Sequence, residues 1–294
     1  MALFIVIIGP TASGKSAVAM EIAQKLGGQI LSVDSMQVYR GMDIGTAKPT
    51  EQEQRLVKHH LIDLVEPSEE FTVARFVELA DAIIERRTVP IIATGGTPLY
   101  YKALFEGLFE GPPADEDLRV RLRSLGNEQL HARLSQIDPA AAGRIHVNDT
   151  KRLIRAVEVF ELTGLPISSL QTEWTDPKPR HQAVWFGLTW DRDALNRRIN
   201  ARVKAMVEAG WLDETRRLPQ TLSKTAGEAT GYRELLAHLA GDLSLDDAVE
   251  QIKIATRQLA RRQMKWFRRF PNVTWLQGDR PAQEIAEEIV RRSK

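Results

Sequence analysis

The sequence predicts an α/β fold: a parallel sheet flanked by helices, interrupted by an all-helical insertion. Three observations carry this expectation. Short aliphatic runs alternate with helix-length amphipathic segments over roughly the first 110 residues, which is the signature of successive βαβ units. A glycine-containing turn joins the first run directly to the first helix. After Gly111-Pro112-Pro113 the pattern becomes helical alone, until Asp176-Pro177-Lys178-Pro179 closes the segment and an aliphatic run resumes.

Residues 3–8 are continuously aliphatic and read as a buried central strand. The run is too short to span a membrane, and it lacks the positive flank and small-residue cleavage site of a signal peptide. Residues 17–26 have helix period, 30–33 form a short strand and 60–65 a weaker one. Over 72–87, Val73, Phe76, Val77, Ala80, Ile83 and Ile84 recur at helical spacing. Residues 89–93 form another buried strand, ending in Thr94-Gly95-Gly96-Thr97. Strands that are apolar throughout call for a sheet covered on both faces. In the insertion Leu118, Leu122, Leu125, Leu130 and Leu134, then Leu153, Ile154, Val157, Val159 and Phe160, keep helical spacing. Residues 183–190 and 273–276 are the remaining strands. The expected organisation is a core built from 1–112 and 181–294, with 113–180 inserted between two strands of one sheet.

The chain has 294 residues, 43% hydrophobic and 27% charged, as expected for a globular protein with a large core. It has no cysteine, which excludes disulfides, thiolate zinc sites, Fe–S clusters and cysteine nucleophiles. The expected compartment is the cytoplasm, with no membrane attachment. Lysine plus arginine total 40 against 39 for aspartate plus glutamate, yet that balance hides a partition. Residues 1–112 hold 10 basic and 14 acidic side chains, 113–180 hold 10 and 10, and 181–294 hold 20 and 15. Residues 251–278 contain no acid at all. There Lys253, Arg257, Arg261, Lys265 and Arg268 recur every three or four residues along one helical face, with Arg262 and Arg269 beside it. A helical charge run is ordinarily a solvated face of mixed sign. This one has a single sign and carries Gln263, Trp266 and Phe267, a composition suited to RNA phosphates and stacked bases. Lys151, Arg152 and Arg155, with Arg119, Arg121 and Arg123, form a second basic cluster.

Gly9-Pro10-Thr11-Ala12-Ser13-Gly14-Lys15-Ser16 matches the phosphate-loop pattern GxxxxGK[ST]. Its glycines let successive backbone N–H groups face one anion, and the following helix adds the positive end of its dipole. Lys15 supplies a full charge, and the Ser16 hydroxyl is the candidate ligand for Mg²⁺. The loop follows a strand and opens a helix, so the sheet is expected to be P-loop NTPase-like. A phosphate loop alone leaves the reaction open, kinase chemistry included. The strand ending at Thr94-Gly95-Gly96-Thr97 offers no metal-holding carboxylate, which counts against a kinase.

Several separated motifs then define a resemblance that runs over essentially the whole chain. They are the phosphate loop; residues 34–49, from Asp34-Ser35-Met36-Gln37 to Ala47-Lys48-Pro49; Gly95-Gly96-Thr97 with Tyr100; and Asn148-Asp149 with Arg152 and Arg155-Ala156-Val157-Glu158-Val159. The last two are Gly231-Tyr232-Arg233-Glu234 and residues 256–263 with Trp266 and Arg268. In these the sequence resembles the bacterial-type tRNA dimethylallyltransferases, also called tRNA isopentenyltransferases. The resemblance implies transfer of a dimethylallyl group from its diphosphate to the exocyclic amine of the adenosine 3′ of the anticodon, assisted by Mg²⁺. It implies that the phosphate loop holds a leaving diphosphate, that Asp34 is the base, and that Thr97 and Arg202 are catalytic at the diphosphate. Without it, Asp34 reads as a turn residue, Thr97 as a helix N-cap and Arg202 as part of a solvated face. The implied tRNA contacts are Asp34, Ser35, Met36, Gln37, Thr97, Arg119, Lys151, Arg152, Leu153, Ile154, Arg155, Gly231, Tyr232, Arg233, Arg261, Arg262, Gln263, Lys265, Trp266 and Arg268, with the 113–180 insertion closing on the anticodon stem-loop. Val147 stands where the family usually has proline, and Glu228 where it more often has a basic or amide residue. No zinc-finger extension of the eukaryotic kind is expected, and the family precedent is a monomer. A related adenosine-phosphate isopentenyltransferase shares the loop and the base. A non-enzymatic RNA-binding protein holding a regulatory nucleotide would use the basic face and have no use for Asp34.

Overall fold

A computed structural model describes residues 2–107, 111–170 and 179–293. Six parallel strands form one sheet: β1 (Phe4–Ile8), β2 (Gln29–Ser32), β3 (His59–His60), β4 (Ile91–Thr94), β5 (Val184–Thr189) and β6 (Val273–Gln277), in the order β3-β2-β4-β1-β5-β6. The α/β expectation is met. β1 is central and buried along its whole length, which is why its five residues carry no polar alternation.

The first helices are α1 (Lys15–Leu26), α2 (Glu51–Leu56), α3 (Val73–Glu85) and α4 (Pro98–Glu106). Of these, α2 is not anticipated by hydrophobic periodicity, because none of its residues is buried. Its start is set by a capping box in which Thr50 and Glu53 satisfy each other's backbone N–H. The weak strand expected over 60–65 shrinks to two residues. Leu61 and Asp63 adopt left-handed φ values of 61° and 53°, which end the extended backbone. Val65 keeps a single bridge to Tyr39.

The chain separates into two compact units, Met1–Leu104 with His181–Lys294, and Phe105–Arg180. The second is helical throughout its described residues: α5 (Glu116–Ser124), α6 (Asn127–Ile137), α7 (Pro139–Ala142), α8 (Thr150–Thr163) and α9 (Ile167–Leu170). Its core is Leu118, Leu122, Leu130, Leu134, Leu153, Ile154, Val157 and Val159 with their neighbours, most of the stripe that the spacing marked out; Leu125, also expected there, caps the end of α5 and is exposed. Asp176, Pro177 and Lys178, which were expected to close the insertion, lie outside the described residues.

After β5, the sheet unit continues with α10 (Arg192–Glu208), α11 (Trp211–Arg216), α12 (Lys224–Gly227), α13 (Tyr232–Leu239) and α14 (Leu245–Phe267), and ends with β6 and α15 (Ala282–Arg292). One face of the sheet is closed by α1 and α15, whose Val18, Ile22, Ile285 and Ile289 pack on Ile5, Ile7 and Phe186. The acids Asp246 and Asp247 occupy the first turn of α14, and its basic residues follow toward the C-terminus, the arrangement the helix dipole favours. Among the described residues no helix is long and apolar enough to cross a membrane.

Candidate active site

Parallel strands deliver their C-terminal ends to one edge of a sheet, and ligands of such folds bind there. Here β1 runs into the phosphate loop, β2 into Val33 and Asp34, and β4 into Gly95-Gly96-Thr97. The close approach of the last two segments depends on Gly95, where a Cβ would lie 2.0 Å from the Val33 carbonyl oxygen. Thr97 N–H donates to that same Val33 carbonyl (3.2 Å). Asp34 is thereby held by both segments: one carboxylate oxygen accepts from Met36 N–H (2.9 Å), the other from Gly96 N–H (3.2 Å). Each oxygen keeps a lone pair for a further partner. Thr97 accepts from Ser35 N–H (2.9 Å) and donates its hydroxyl proton to the Ser35 hydroxyl (3.1 Å).

These groups line a cavity of about 420 Å³ within the sheet unit, together with Thr11, Lys15, Ser16, Met36, Gln37, Arg202, Tyr232, Arg262 and Gln263. Gly45, Thr46, Ala47, Lys48 and Pro49 contribute a further wall, and Met20, Ile199, Val203 and Met206 an apolar one. The volume suits a small molecule. A neighbouring recess is lined by Ala12, Ser13, Gly14, Lys15 and Ser16 of the loop, with Ala47, Arg198 and Arg202.

The phosphate loop is braced from outside. Arg198 Nε donates to the Ala12 carbonyl (3.0 Å), and Trp190 Nε1 to the Ser13 carbonyl (3.0 Å), with the guanidinium 4.4 Å from the indole centroid. Ala12 is left-handed at φ 63°, an uncommon conformation for a residue with a side chain. The first turn of α1 receives no side-chain cap, so its N–H groups remain available to an anion. Gly9 and Pro10 are buried beneath the loop.

Positive charge is in excess at this end. Burial, and then the Arg202 charge, push the Lys15 ammonium down to about 8, against the opposing pull of Asp34. Arg202 is lowered by burial and by Arg198, again opposed by Asp34. Among the described residues neither Lys15 nor Arg202 makes a salt bridge, and the Lys15 ammonium donates to the Pro10 carbonyl (3.4 Å).

Other expected site residues are placed differently. Leu153 and Ile154 are 0% and 5% exposed in the helical core, so their side chains are closed to RNA; they belong to the apolar stripe of α8. Arg119 and Arg155 are engaged with Glu158, whose side chain is fully buried. Arg119 donates through two nitrogens (2.8 and 3.1 Å), Arg155 through one (2.7 Å), and Asp115 N–H adds a fourth bond (2.9 Å). Lys151 and Arg152 are exposed on α8. Tyr232 is buried, and Gly231 lies under Trp211, where a Cβ would meet the indole at 2.0 Å; Arg233 is exposed. On α14, Lys253 pairs with Glu250 and Arg257 donates to Asn200. Arg261, Arg262, Lys265, Arg268 and Arg269 are exposed and, among the described residues, without salt bridges, and Trp266 lies beside them.

Gln263 is an internal tether as well as a cavity wall. Its side chain is nearly buried, accepts from Thr11 N–H (2.8 Å) and donates to the Gly96 carbonyl (2.7 Å). It therefore joins α14 to the phosphate loop and to the segment that orients Asp34. Gln37 likewise turns inward: its amide donates to the Thr46 and Ala47 carbonyls (3.3 and 3.2 Å) and accepts from the Ser32 hydroxyl (2.7 Å). Glu214 and Trp211 drew no attention in the sequence. No motif marks them, and only the fold carries α11 to the back of the 43–45 segment.

A profile of the family described as IPP transferase matches residues 37–270, and one described as isopentenyl transferase matches residues 1–65. The tRNA dimethylallyltransferase of Acetivibrio thermocellus is 48% identical over 287 residues, covering 94% of this chain and 91% of that one. That of Geobacter metallireducens is 47% identical, covering 93% and 92%. The crystal structure of the full-length tRNA isopentenylpyrophosphate transferase of Bacillus halodurans matches with a TM-score of 0.70 at 40% identity, over 100% of this chain and 97% of that one. A eukaryotic dimethylallyltransferase caught acting on tRNA matches with a TM-score of 0.80 at 27% identity, over 99% of this chain and 78% of that one. With its phosphate loop, its oriented Asp34 and relatives of this similarity along nearly its whole length, the chain belongs to the tRNA dimethylallyltransferase family.

Proposed function

We propose that this protein transfers the dimethylallyl group of dimethylallyl diphosphate to the exocyclic amine of the adenosine at position 37 of tRNA, 3′-adjacent to the anticodon, releasing diphosphate. The observation that carries the reading is that an oriented carboxylate, Asp34, shares one cavity with the cations Lys15 and Arg202, which make no salt bridge among the described residues.

An exocyclic adenine amine is a poor nucleophile, because its lone pair is delocalised into the ring. As its nitrogen bonds to C1 of the donor, the C1–O bond breaks and the electron pair leaves on the diphosphate. The amine proton passes to Asp34, whose backbone donors fix the direction of the accepting oxygen. Lys15, Arg202 and the loop N–H groups neutralise the charge growing on the leaving group. Thr97, on the same wall, is assigned to the diphosphate oxygen nearest the reacting carbon.

Ser16 offers one hydroxyl oxygen beside the loop, and among the described residues no group of three or more His, Cys, Asp or Glu gathers to hold a metal unaided. That donor set fits Mg²⁺ carried largely by diphosphate oxygens and water, its usual habit. Bound there, the ion supplies Lewis-acid stabilisation of the leaving diphosphate.

The exposed Arg261, Arg262, Lys265 and Arg268 are assigned to stem-loop phosphates and Trp266 to stacking, with Lys151 and Arg152 of the helical insertion as a second set. The target adenosine must leave its stack to reach Asp34. The proposed enzyme acts as a monomer in the cytoplasm, where a tRNA substrate is met.

The test is a prenylation assay with dimethylallyl diphosphate, Mg²⁺ and either an anticodon stem-loop or a free adenine nucleotide, read by mass. Gain of one prenyl unit on the stem-loop is the expected result. Gain on the nucleotide alone would assign the protein to the adenosine-phosphate enzymes, and ATP consumption without prenylation to the kinases.

A further inference from the structure

We infer that Glu214 is a positioning residue for the diphosphate end of the cavity, acting through the 43–47 segment without touching substrate. The inference deepens the reading given above and rests on it.

Glu214 is 4% exposed, and among the described residues no cation pairs with it. Its charge is met by four neutral donors: the N–H groups of Asp43 (3.0 Å), Ile44 (2.7 Å) and Gly45 (3.2 Å), and the Tyr232 hydroxyl (2.6 Å). Three consecutive N–H groups aimed at one carboxylate require the backbone to curl around it. The curl is then closed by Lys48 N–H to the Asp43 carbonyl (2.9 Å) and Ala47 N–H to the Ile44 carbonyl (3.0 Å). From the other side the Gln37 amide holds the Thr46 and Ala47 carbonyls.

This segment is a wall of the donor site. Gly45, Thr46 and Ala47 line the cavity that contains Lys15 and Arg202, and Ala47 also lines the recess formed by the phosphate loop, Arg198 and Arg202. The anchor is therefore an anion bound by backbone donors, set behind a wall whose front faces the site of another anion. Burial and the neighbouring Glu214 charge push the Tyr232 phenol up, so it stays protonated and remains a donor. Tyr232 comes from the Gly231-Tyr232-Arg233 motif, and its buried hydroxyl gives that motif a task distinct from RNA contact.

The variants Glu214→Gln and Tyr232→Phe test this. The amide keeps one acceptor oxygen but turns an NH₂ group toward backbone donors, while Tyr232→Phe removes a single donor and leaves the three N–H bonds. Dissociation constants for inorganic pyrophosphate with Mg²⁺ and for an anticodon stem-loop are measured separately, without turnover, alongside the thermal midpoint. Glu214→Gln is expected to weaken pyrophosphate about tenfold and Tyr232→Phe about threefold, as loss of hydrogen bonds at a charged group predicts, with stem-loop affinity within about twofold of wild type. A folded Glu214→Gln protein with unchanged pyrophosphate affinity overturns the inference, as does equal weakening of both ligands. Should Glu214→Gln fail to fold, unchanged pyrophosphate affinity in Tyr232→Phe overturns it instead. Failure of the wild-type protein to bind pyrophosphate would count against the proposed function itself.

Discussion

Glu158 in the helical unit and the Lys15–Arg202 pair in the sheet unit are both centres of clustered charge, built with opposite balance. Around Glu158 the account is closed: two arginines and one backbone N–H supply four hydrogen bonds to a fully buried carboxylate. Around Lys15 it is open: Arg202 adds like charge, itself beside Arg198, and the opposing pull comes from Asp34. A closed cluster specifies a fold, and its removal is felt as stability. An open cluster is held by the surrounding structure at some cost in stability and is relieved by a ligand. An arginine that the family resemblance assigns to a ligand can belong to either kind, as Arg119 and Arg202 show.

The largest expected effect is at the acid of the open cluster. Asp34→Asn should lower the rate of prenyl transfer by about 10³ or more, the scale of a lost general base. It should leave pyrophosphate binding unchanged or tighter, because a negative charge opposing Lys15 and Arg202 is gone. Weaker pyrophosphate binding would break the comparison. Next, Arg202→Ala should cost about 10² in kcat/KM for the prenyl donor, whereas Arg119→Ala should leave that ratio within about twofold. Steady-state kinetics on the two variants measures the contrast directly.

For the closed cluster the readout is stability. Glu158→Gln should destabilise the helical unit by about 1–3 kcal/mol, since one of its oxygens no longer accepts. The pH dependence has a definite sign. Burial alone would raise the Glu158 carboxyl, but hydrogen bonds from Arg155, the Asp115 N–H and Arg119 outweigh it and hold it below the ordinary glutamate range. Its contribution is therefore complete above the unfolded value of 4.5 and is lost as pH falls through the lower folded value. Melting curves between pH 7 and pH 3 should show this loss in the wild type and a shallower one in Glu158→Gln. The smallest effect concerns RNA. Arg261→Ala should reduce the slope of log affinity against log salt by about 0.7–0.9, the value of one phosphate contact. Arg119→Ala should leave the slope alone, and a change there would move Arg119 into the open class.

Periodicity made the centre of the sheet legible, because β1 is apolar and buried along its whole length, β4 is nearly so, and the covering α1 and α15 carry buried apolar stripes; β3, two histidines, left no such mark. Periodicity did not reveal α2, which buries no residue and whose capping box is a signal of another kind. The phosphate loop was legible because it follows directly from a strand end, whereas Asp34 and Thr97 were singled out by the family resemblance, each lying a few residues beyond a strand end. The roles of Gln37 and Gln263 were not, because an amide looks the same in sequence whether it faces RNA or grips a carbonyl across the fold. Glu214 was hidden for the same reason, since its partners lie about 170 residues away and no local pattern records such a pairing. The single-signed face of α14 was half legible. Spacing found the helix face, but the partners Glu250 and Asn200, which remove Lys253 and Arg257 from it, come from an adjacent turn and from another helix.

The indole of Trp211 lies between two backbone segments that both lack side chains toward it. A Cβ at Gly45 would come within 2.1 Å of it and one at Gly231 within 2.0 Å. The three positions therefore behave as one lock with three tumblers. An alanine at either glycine fails while the indole is present, and a smaller residue at Trp211 leaves a void while the glycines remain. Directed evolution that changes one position at a time will find this corner closed, and only libraries that vary all three together can reshape the wall behind the donor.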